Sequence, residues 1–215
     1  MKLTRIATIT LCLSLAAGTI TAYTEVLFSP VDKPTKRLLE LISTSQRRIY
    51  AAVYMITDKI IAQALIEAKV KRNVDVQIIT DKITYESVFG KGKLLRESGI
   101  PLFIYEEKKS PTTRLFGYGP IMHHKFALFD DTKLWTGSFN WTASANRCNH
   151  ENVVITDERN VCTQFKAKFE ELKMLCQVRT PELEKSTEAP STTKAPLLET
   201  SIQIVKAVLR LPRAV

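Results

Sequence analysis

Hydrophobic residues follow the spacing of strands and of helices in turn along most of the chain. Alternating or continuous apolar runs predict strands over residues 24–28, 48–56, 74–80, 101–105, 121–129, 133–136 and 152–156. Apolar residues at helical spacing predict helices over residues 34–45, 59–71, 91–97 and 158–175. This alternation predicts an α/β fold in which a mixed, mostly parallel sheet is sandwiched between helices.

The two ends of the chain depart from this alternation. A short basic stretch, an apolar run and then small residues make residues 1–22 an expected signal peptide, with an uncleaved N-terminal anchor as the alternative. Residues 179–196 are rich in Ser, Thr, Pro, Lys and Glu and predict a disordered linker. Residues 197–215 predict an amphipathic tail helix that could contact a membrane, a partner or its own domain. We therefore expect one folded domain over residues 23–178, in a protein that is secreted or periplasmic, or else membrane-anchored.

Charge narrows the class of partner without choosing one. The chain has 215 residues, enough for one domain of ordinary size with appendages. Its formal net charge of +9 favours a polyanion, either nucleic acid or anionic lipid headgroups. A soluble basic protein without such a partner is equally compatible with this charge.

Three cysteines lie outside the expected leader. Cys162 and Cys176 fall on one predicted helix, about 21 Å apart, whereas a disulfide needs Cα atoms within about 7 Å. These two should not pair, so any disulfide within the chain should use Cys148. A zinc site formed by the cysteines and His150 is an alternative, but the residues lack the close paired spacing of zinc ligands, and we expect no metal.

One segment combines groups that suit attack on a phosphodiester. His123 and Lys125 lie two positions apart in an apolar, strand-like run, so their side chains should share a face and that of His124 should point away. An imidazole nitrogen can attack phosphorus and form a covalent phosphohistidine. An ammonium group can neutralise the phosphate oxygens in the transition state. A structural histidine is the ordinary alternative, but a lysine in so apolar a run requires a reason.

The residues after this run add donors and carboxylates. The Ser138 hydroxyl and the Asn140 amide can bind phosphate oxygens, and Gly137 would let backbone N–H groups approach the phosphate closely. Glu151 is the candidate for orienting the nucleophilic imidazole. Asp130, in the turn after the run, is expected to brace the hairpin or its partner strand.

The long segment over residues 106–120 precedes these groups directly. It interleaves basic and aromatic residues, among them Arg114, Phe116 and Tyr118. Long loops of this kind often carry function, although an ordinary solvated connection is the alternative. We expect the loop to contact substrate, with Arg114 as a substrate-binding residue.

The combined pattern resembles the phospholipase D superfamily. It consists of His123-x-Lys125-x-x-x-x-Asp130, then Gly137-Ser138-x-Asn140, then Glu151. The resemblance covers roughly residues 25–175. It is nearest to the small exported bacterial members with a single motif, which are nucleases, and the chain is also similar to the mitochondrial single-motif branch.

The resemblance implies a phospholipase D-like fold and metal-independent phosphodiester cleavage without a cofactor. It implies a catalytic set of His123, Lys125, Asp130 and Glu151, with Ser138 and Asn140 binding phosphate. It also implies a homodimer in which two motifs, one per subunit, form a single active site. His123 would be the nucleophile in one subunit and the general acid in the other.

Three functions remain open from the sequence. An endonuclease that cleaves DNA or RNA is the leading hypothesis, and a phospholipase D acting on phosphatidyl headgroups with the same residues is the alternative. The third is a non-enzymatic relative that only binds nucleic acid or membrane, which the presence of both His123 and Lys125 disfavours. A nuclease should have a basic groove beside the site, whereas a lipid enzyme should have an apolar surface there. A two-metal nuclease would need more converging carboxylates than this segment offers.

Overall fold

The computed structural model describes residues 21–106 and 120–179. Most of the expected leader, the linker beyond Arg179, the tail helix and the loop that contains Arg114 lie outside the described residues. No helix in the described part is long and apolar enough to cross a membrane.

The described residues form one sheet with helices on both faces. The strands are β1 (Thr24–Ser29), β2 (Arg48–Val53), β3 (Asp75–Asp81), β4 (Leu102–Tyr105), β5 (Lys125–Phe129), β6 (Lys133–Gly137), β7 (Glu151–Thr156) and β8 (Gln177–Arg179). The helices are α1 (Pro34–Thr44), α2 (Lys59–Arg72), α3 (Lys82–Glu86), α4 (Gly92–Glu97), α5 (Ala143–Arg147) and α6 (Arg159–Leu175). The strand order across the sheet is β1-β7-β6-β5-β2-β3-β4-β8.

The sheet is mixed, as predicted, but it is not mostly parallel. Among the described strands, only the β2–β3 and β3–β4 pairs are parallel, and the other five pairs are antiparallel. A parallel pair needs a crossover connection, which the helices between β2 and β4 provide. The second half of the domain instead contains the tight β5–β6 hairpin and a strand that returns beside it. The expectation of a largely parallel sheet extended the pattern of the first half too far.

Two hydrophobic layers attach the helices to the sheet. On one face, α1, α2 and α4 pack through buried side chains such as Leu38, Leu65 and Leu95. On the other face, α6 packs through Phe169 and Leu172. The α/β sandwich predicted from the sequence is therefore confirmed.

Each predicted helix and strand in the described part is present, with shifted ends. Asp58 caps α2 by accepting hydrogen bonds from the backbone amides of Ile60 and Ile61, as its position indicated. The short elements α3, α5 and β8 were not predicted. Because β8 ends at Arg179, the first residue assigned to the disordered linker belongs to a strand.

The cysteines of the described part are all free thiols. Cys162 is buried within α6 and Cys176 follows its last turn, which confirms that these two do not pair. Cys148 is exposed and also unpaired. No group of three or more His, Cys, Asp or Glu side chains in the described part is arranged to hold a metal ion.

The sheet gathers the candidate residues at one edge, which we call the motif edge. The edge contains Tyr54 after β2, Asp81 at the end of β3, Lys125 at the start of β5, Ser138 after β6 and Glu151 at the start of β7. Strand pairing fixes this convergence, because Lys125 pairs with Val53 and Gly137 pairs with Val153. By contrast, β1 begins and β8 ends at the opposite edge of the sheet. There Thr24 pairs with Thr156, and Arg179 with Leu102.

Candidate active site

His123 and Lys125 face the same aromatic ring, although only one of them lies in a strand. Strand β5 begins at Lys125, so the strand predicted from residue 121 starts later than expected. The Tyr54 ring centroid is 4.8 Å from that of the His123 imidazole and 5.3 Å from Nζ of Lys125. The expectation that these two side chains point together is therefore confirmed.

His124 points to the opposite side. Its ring meets the edge of the Phe126 ring at a centroid distance of 5.6 Å, and Phe126 in turn contacts Phe165 of α6. The backbone carbonyl of His124 accepts a hydrogen bond of 2.8 Å from the Tyr54 amide. This bond holds the motif segment against the end of β2 just before β5 begins.

Lys125 is a nearly buried cation. The residue is only 6% exposed, and its Nζ donates a hydrogen bond of 2.6 Å to the backbone carbonyl of His123. Burial lowers the pKa of Lys125, and the negative charge of Glu151 opposes that shift. Burying an ammonium group is costly. A role in binding anions gives a reason for the cost, whereas a purely structural role does not.

The imidazole of His123 is held in conditions that favour its neutral form. Partial desolvation lowers the pKa of His123, and the positive charge of Lys125 lowers it further, while Asp81 acts in the opposite sense. Only a neutral imidazole offers a lone pair to phosphorus. The ring is nevertheless exposed enough to meet a substrate at the motif edge.

Asp81 anchors the segment that carries His123. Its buried carboxylate accepts one hydrogen bond of 2.9 Å from the Met122 amide and another of 2.9 Å from the Ile83 amide. One carboxylate therefore caps α3 and fixes the residue before His123. Sequence reasoning missed both Asp81 and Tyr54. A carboxylate directly after a buried parallel strand was an available signal, because strand C-termini commonly carry functional groups.

Glu151 is engaged with Ser138 within the same chain. The Ser138 hydroxyl donates a hydrogen bond of 2.5 Å to Oε2 of Glu151, and Nδ2 of Asn149 donates one of 3.0 Å to Oε1. No hydrogen bond joins Glu151 to His123 within the part of the chain that the structure describes. The orienting role expected of Glu151 therefore stays a prediction, while its charge does act on Lys125.

The backbone after β6 does not offer the free amide that the glycine suggested. The Ser138 amide donates to the Asn152 carbonyl at 3.1 Å, so it is occupied by strand pairing. A Cβ on Gly137 would collide with that same carbonyl. Glycine is needed here for the close approach of β7 rather than for the approach of phosphate. Asn140 lies just beyond, and its Oδ1 is buried without a hydrogen-bond partner among the described residues.

Asp130 lies at the wrong end of β5 for catalysis. It follows Phe129, which pairs with Ile49 at the start of β2, and it is about 16 Å along the strand from Lys125. Its carboxylate accepts hydrogen bonds from the backbone amides of Gln46, Arg47 and Arg48. Its place in the catalytic set is therefore wrong, and the bracing role expected from its turn position fits the geometry.

The bracing role of Asp130 gives a pH-dependent stability. Burial would raise the pKa of Asp130, but the hydrogen bonds from the backbone amides together outweigh burial, and the pKa is lowered. A carboxylate with a depressed folded-state pKa contributes stability that is complete above its unfolded value and is lost as the pH falls through the folded value. We expect Asp130→Asn to lower the free energy of unfolding by about 2 kcal/mol at neutral pH. That difference should shrink below about pH 4.

Chemical denaturation of both proteins from pH 7 to pH 2.5 measures this difference. Asn is the matched replacement because residue 130 has a φ of 53°, a left-handed conformation that Asn tolerates. Turnover should be nearly unchanged in the variant. A loss of activity greater than the loss of folded protein would return Asp130 to the catalytic set.

A cleft of about 400 Å³ opens beside His123. Its walls are Tyr105, Ile121, Met122, His123, His124, Leu172 and Leu175. Ile121 and Leu175 are exposed hydrophobic residues at its rim. The cleft thus joins His123 to a mostly apolar surface.

A mixed sheet with a His-x-Lys pair at one edge and a Ser–Glu pair beside it defines the phospholipase D-like class of α/β proteins. The family described as "Cardiolipin synthase, PLD-like domain" matches residues 38–173. The chain therefore belongs to the phospholipase D superfamily of phosphodiesterases.

Relatives with two kinds of name are similar to this chain in sequence. The chain is 33% identical over 141 residues to the mitochondrial cardiolipin hydrolase of Xenopus tropicalis, covering 66% of this chain and 61% of that protein. It is 32% identical over 138 residues to a phospholipase D of Rickettsia bellii, covering 64% of this chain and 63% of that protein. The chain thus spans about three fifths of the length of these curated relatives.

Two solved structures match over nearly their whole length. Nuc of Salmonella typhimurium, a phospholipase D family member, is 26% identical with a TM-score of 0.65, covering 74% of this chain and 99% of Nuc. NucT of Helicobacter pylori is 22% identical with a TM-score of 0.67, covering 73% of this chain and 98% of NucT. The second likeness supports the fold alone.

Proposed function

We propose that this chain is a metal-independent phosphodiesterase that acts through a covalent phosphohistidine on His123. The observation that carries the proposal is the arrangement of a solvent-accessible imidazole and a nearly buried ammonium group on one aromatic ring. The imidazole can be the nucleophile because its pKa is lowered. The ammonium can stabilise the negative charge that the phosphate oxygens carry in the transition state.

The reaction then proceeds in two displacements. An imidazole nitrogen attacks phosphorus, the nitrogen–phosphorus bond forms and the bond to the leaving oxygen breaks. The leaving oxygen takes a proton from a general acid. A water molecule next attacks the phosphohistidine and gives a proton back to the same group, which restores the free imidazole.

A second copy of the chain is the proposed source of that general acid. In the part of the chain that the structure describes, no second imidazole contacts His123, since His124 lies on the far side and packs on Phe126. A two-fold dimer places a second His123 opposite the first and needs no further residue type. One active site would then be built from two motifs.

Nucleic acid is the substrate class that we propose first. The formal net charge of +9 favours binding to a phosphate backbone. The single motif resembles that of the small bacterial nucleases, and the match to Nuc covers 99% of that protein at 26% identity. The relatives named for lipid substrates are matched over a smaller share of their length.

Hydrolysis of phospholipid headgroups is the second candidate, and the cleft favours it. The apolar walls formed by Ile121, Met122, Leu172 and Leu175 could accept the acyl or glycerol part of a lipid whose phosphate reaches His123. The relatives named cardiolipin hydrolase and phospholipase D support the same reading.

We also propose that the protein is exported. The support is the basic, apolar and small-residue pattern of residues 1–22. Strand β1 begins at the edge opposite the motif edge, where Thr24 pairs with Thr156. A leader or an anchor would therefore join the domain at the edge opposite the one that carries His123.

One side-by-side assay separates the two substrate classes. Purified full-length protein is incubated in EDTA with plasmid DNA, single-stranded RNA and phosphatidylcholine–cardiolipin vesicles, with His123→Ala as the control. We expect cleavage of nucleic acid that EDTA does not abolish and that the variant lacks. Release of headgroups without cleavage of nucleic acid would replace the first candidate by the second. Loss of all activity in EDTA, or full activity in the variant, would contradict the phosphohistidine mechanism itself.

A further inference from the structure

Tyr54 touches both reactive groups without belonging to the motif. It is the first residue after β2 and is half-buried, and its ring contacts both the His123 imidazole and the Lys125 ammonium. We propose that Tyr54 is a positioning residue that fixes the nucleophile and the phosphate-binding cation relative to each other. This inference rests on the proposed function of the same two groups.

The ring supplies what the buried ammonium lacks. Within the described residues, Nζ of Lys125 makes one hydrogen bond, to the carbonyl of His123. The negative face of an aromatic ring attracts a cation placed within about 6 Å of its centroid, and this attraction grows as the pair loses solvent. At 5.3 Å, the Tyr54 ring compensates part of the cost of burying Lys125.

The same ring limits the orientation of the nucleophile. The planes of the Tyr54 ring and the His123 imidazole are inclined by 56°, at a centroid distance of 4.8 Å that is typical of packed aromatic pairs. Because His123 precedes β5, strand pairing alone does not hold its side chain. A ring contact therefore replaces the constraint that a strand would have given.

The backbone of Tyr54 is itself held from two sides. Its amide donates to the His124 carbonyl at 2.8 Å, and its carbonyl accepts a bond of 3.3 Å from the Thr80 hydroxyl on β3. Asp81, the next residue on β3, holds Met122. The ends of β2 and β3 thus fix the ring and the motif segment in one frame.

The ring face carries this role, and the hydroxyl does not. No hydrogen bond from the Tyr54 hydroxyl is found within the described residues. Tyr54→Phe, which keeps the face, should therefore rescue function, whereas Tyr54→Leu should not. Tyr50→Leu is the matched control, because it removes a packed aromatic ring four residues earlier that stacks on Phe169 of α6.

Steady-state kinetics on bis(p-nitrophenyl) phosphate, with the full-length protein, provide the first test. Tyr54→Leu should lower kcat by about tenfold with little change in KM, which matches the scale of a desolvated cation–π contact. Tyr54→Phe should restore kcat to within about twofold of the original protein. Tyr50→Leu should lower kcat only in proportion to the fraction of protein that unfolds. Equal losses in the Phe and Leu variants at position 54, an unchanged kcat in Tyr54→Leu, or an effect on KM alone would overturn the proposal.

An NMR titration of the His123 ring protons gives a second readout that needs no turnover. The pKa of His123 should lie below its ordinary value in the original protein and in Tyr54→Phe, and should rise toward that value in Tyr54→Leu as Lys125 is released. An unchanged His123 pKa in Tyr54→Leu would overturn the positioning role. If no phosphodiester is cleaved but the titration shifts as expected, the proposed function fails while the positioning role stands.

Discussion

His123→Ala should lower phosphodiester turnover by on the order of 10⁴-fold, the largest effect of any single substitution in this chain. In the proposed dimer, the substitution would remove the nucleophile from one subunit and the general acid from the other, so two contributions would be lost together. His123 is also exposed, so the variant should fold with nearly unchanged stability. Turnover measured beside thermal unfolding separates lost chemistry from lost structure.

His124→Ala is the matched control for this substitution. It removes a neighbouring imidazole that faces Phe126 instead of Tyr54, and it should cost less than about tenfold in turnover.

Mixed dimers provide a further check. Equal amounts of wild-type and His123→Ala chains are allowed to pair at random. The whole population should retain about one quarter of the activity of the same amount of wild-type dimer if each site needs both histidines, because only wild-type pairs are then active. Retention of about one half would indicate that each chain works alone.

Lys125→Met should move activity and stability in opposite directions. Loss of the ammonium should lower kcat by about 10²–10³-fold, because negative charge in the transition state loses its nearest cation. Methionine has a similar length and no charge, so it removes the free-energy cost of burying a charge at a position that is only 6% exposed. The free energy of unfolding should therefore stay level or rise.

Lys125→Arg is the informative companion variant. It keeps the charge, but the planar guanidinium is larger and cannot enter a site shaped around one compact donor. Activity should stay at least about tenfold below that of the original protein, and stability should fall. Full activity in Lys125→Met, or an unfolding loss that parallels its kinetic loss, would show that Lys125 is structural.

The candidate chemistry of the site could be predicted from the sequence because its residues are close together along the chain. His123 and Lys125 are two residues apart, and short spacings survive whatever the rest of the fold does. The apolar periods likewise predicted the helices and most strands, since burial on one face imposes that period wherever the segment packs. The choice of His123 over His124 as the candidate nucleophile followed from the same reasoning.

Contacts that depend on strand pairing could not be predicted from the sequence in the same way. Tyr54 reaches His123, and Asp81 reaches Met122, only because β2 and β3 end at the sheet edge where β5 begins. The position of Asp81 at a strand end was a signal of function, but the register that brings it to the motif segment is not encoded locally. Asp130 was misassigned for the related reason that five residues of strand carry it to the other edge of the sheet. The short antiparallel connections of the second half also escaped a pattern drawn from the crossovers of the first.

The most direct test of the account is to trap the covalent intermediate. A substrate labelled at phosphorus is mixed with the enzyme, and the reaction is quenched within the first turnovers. The quench uses alkali because phosphohistidine survives alkali and is lost in acid. The protein is then digested for mass spectrometry. The proposed mechanism predicts a phosphoryl adduct on His123 that is absent from His123→Ala and independent of EDTA. An adduct on another residue, or full turnover with no adduct at any time point, would contradict it.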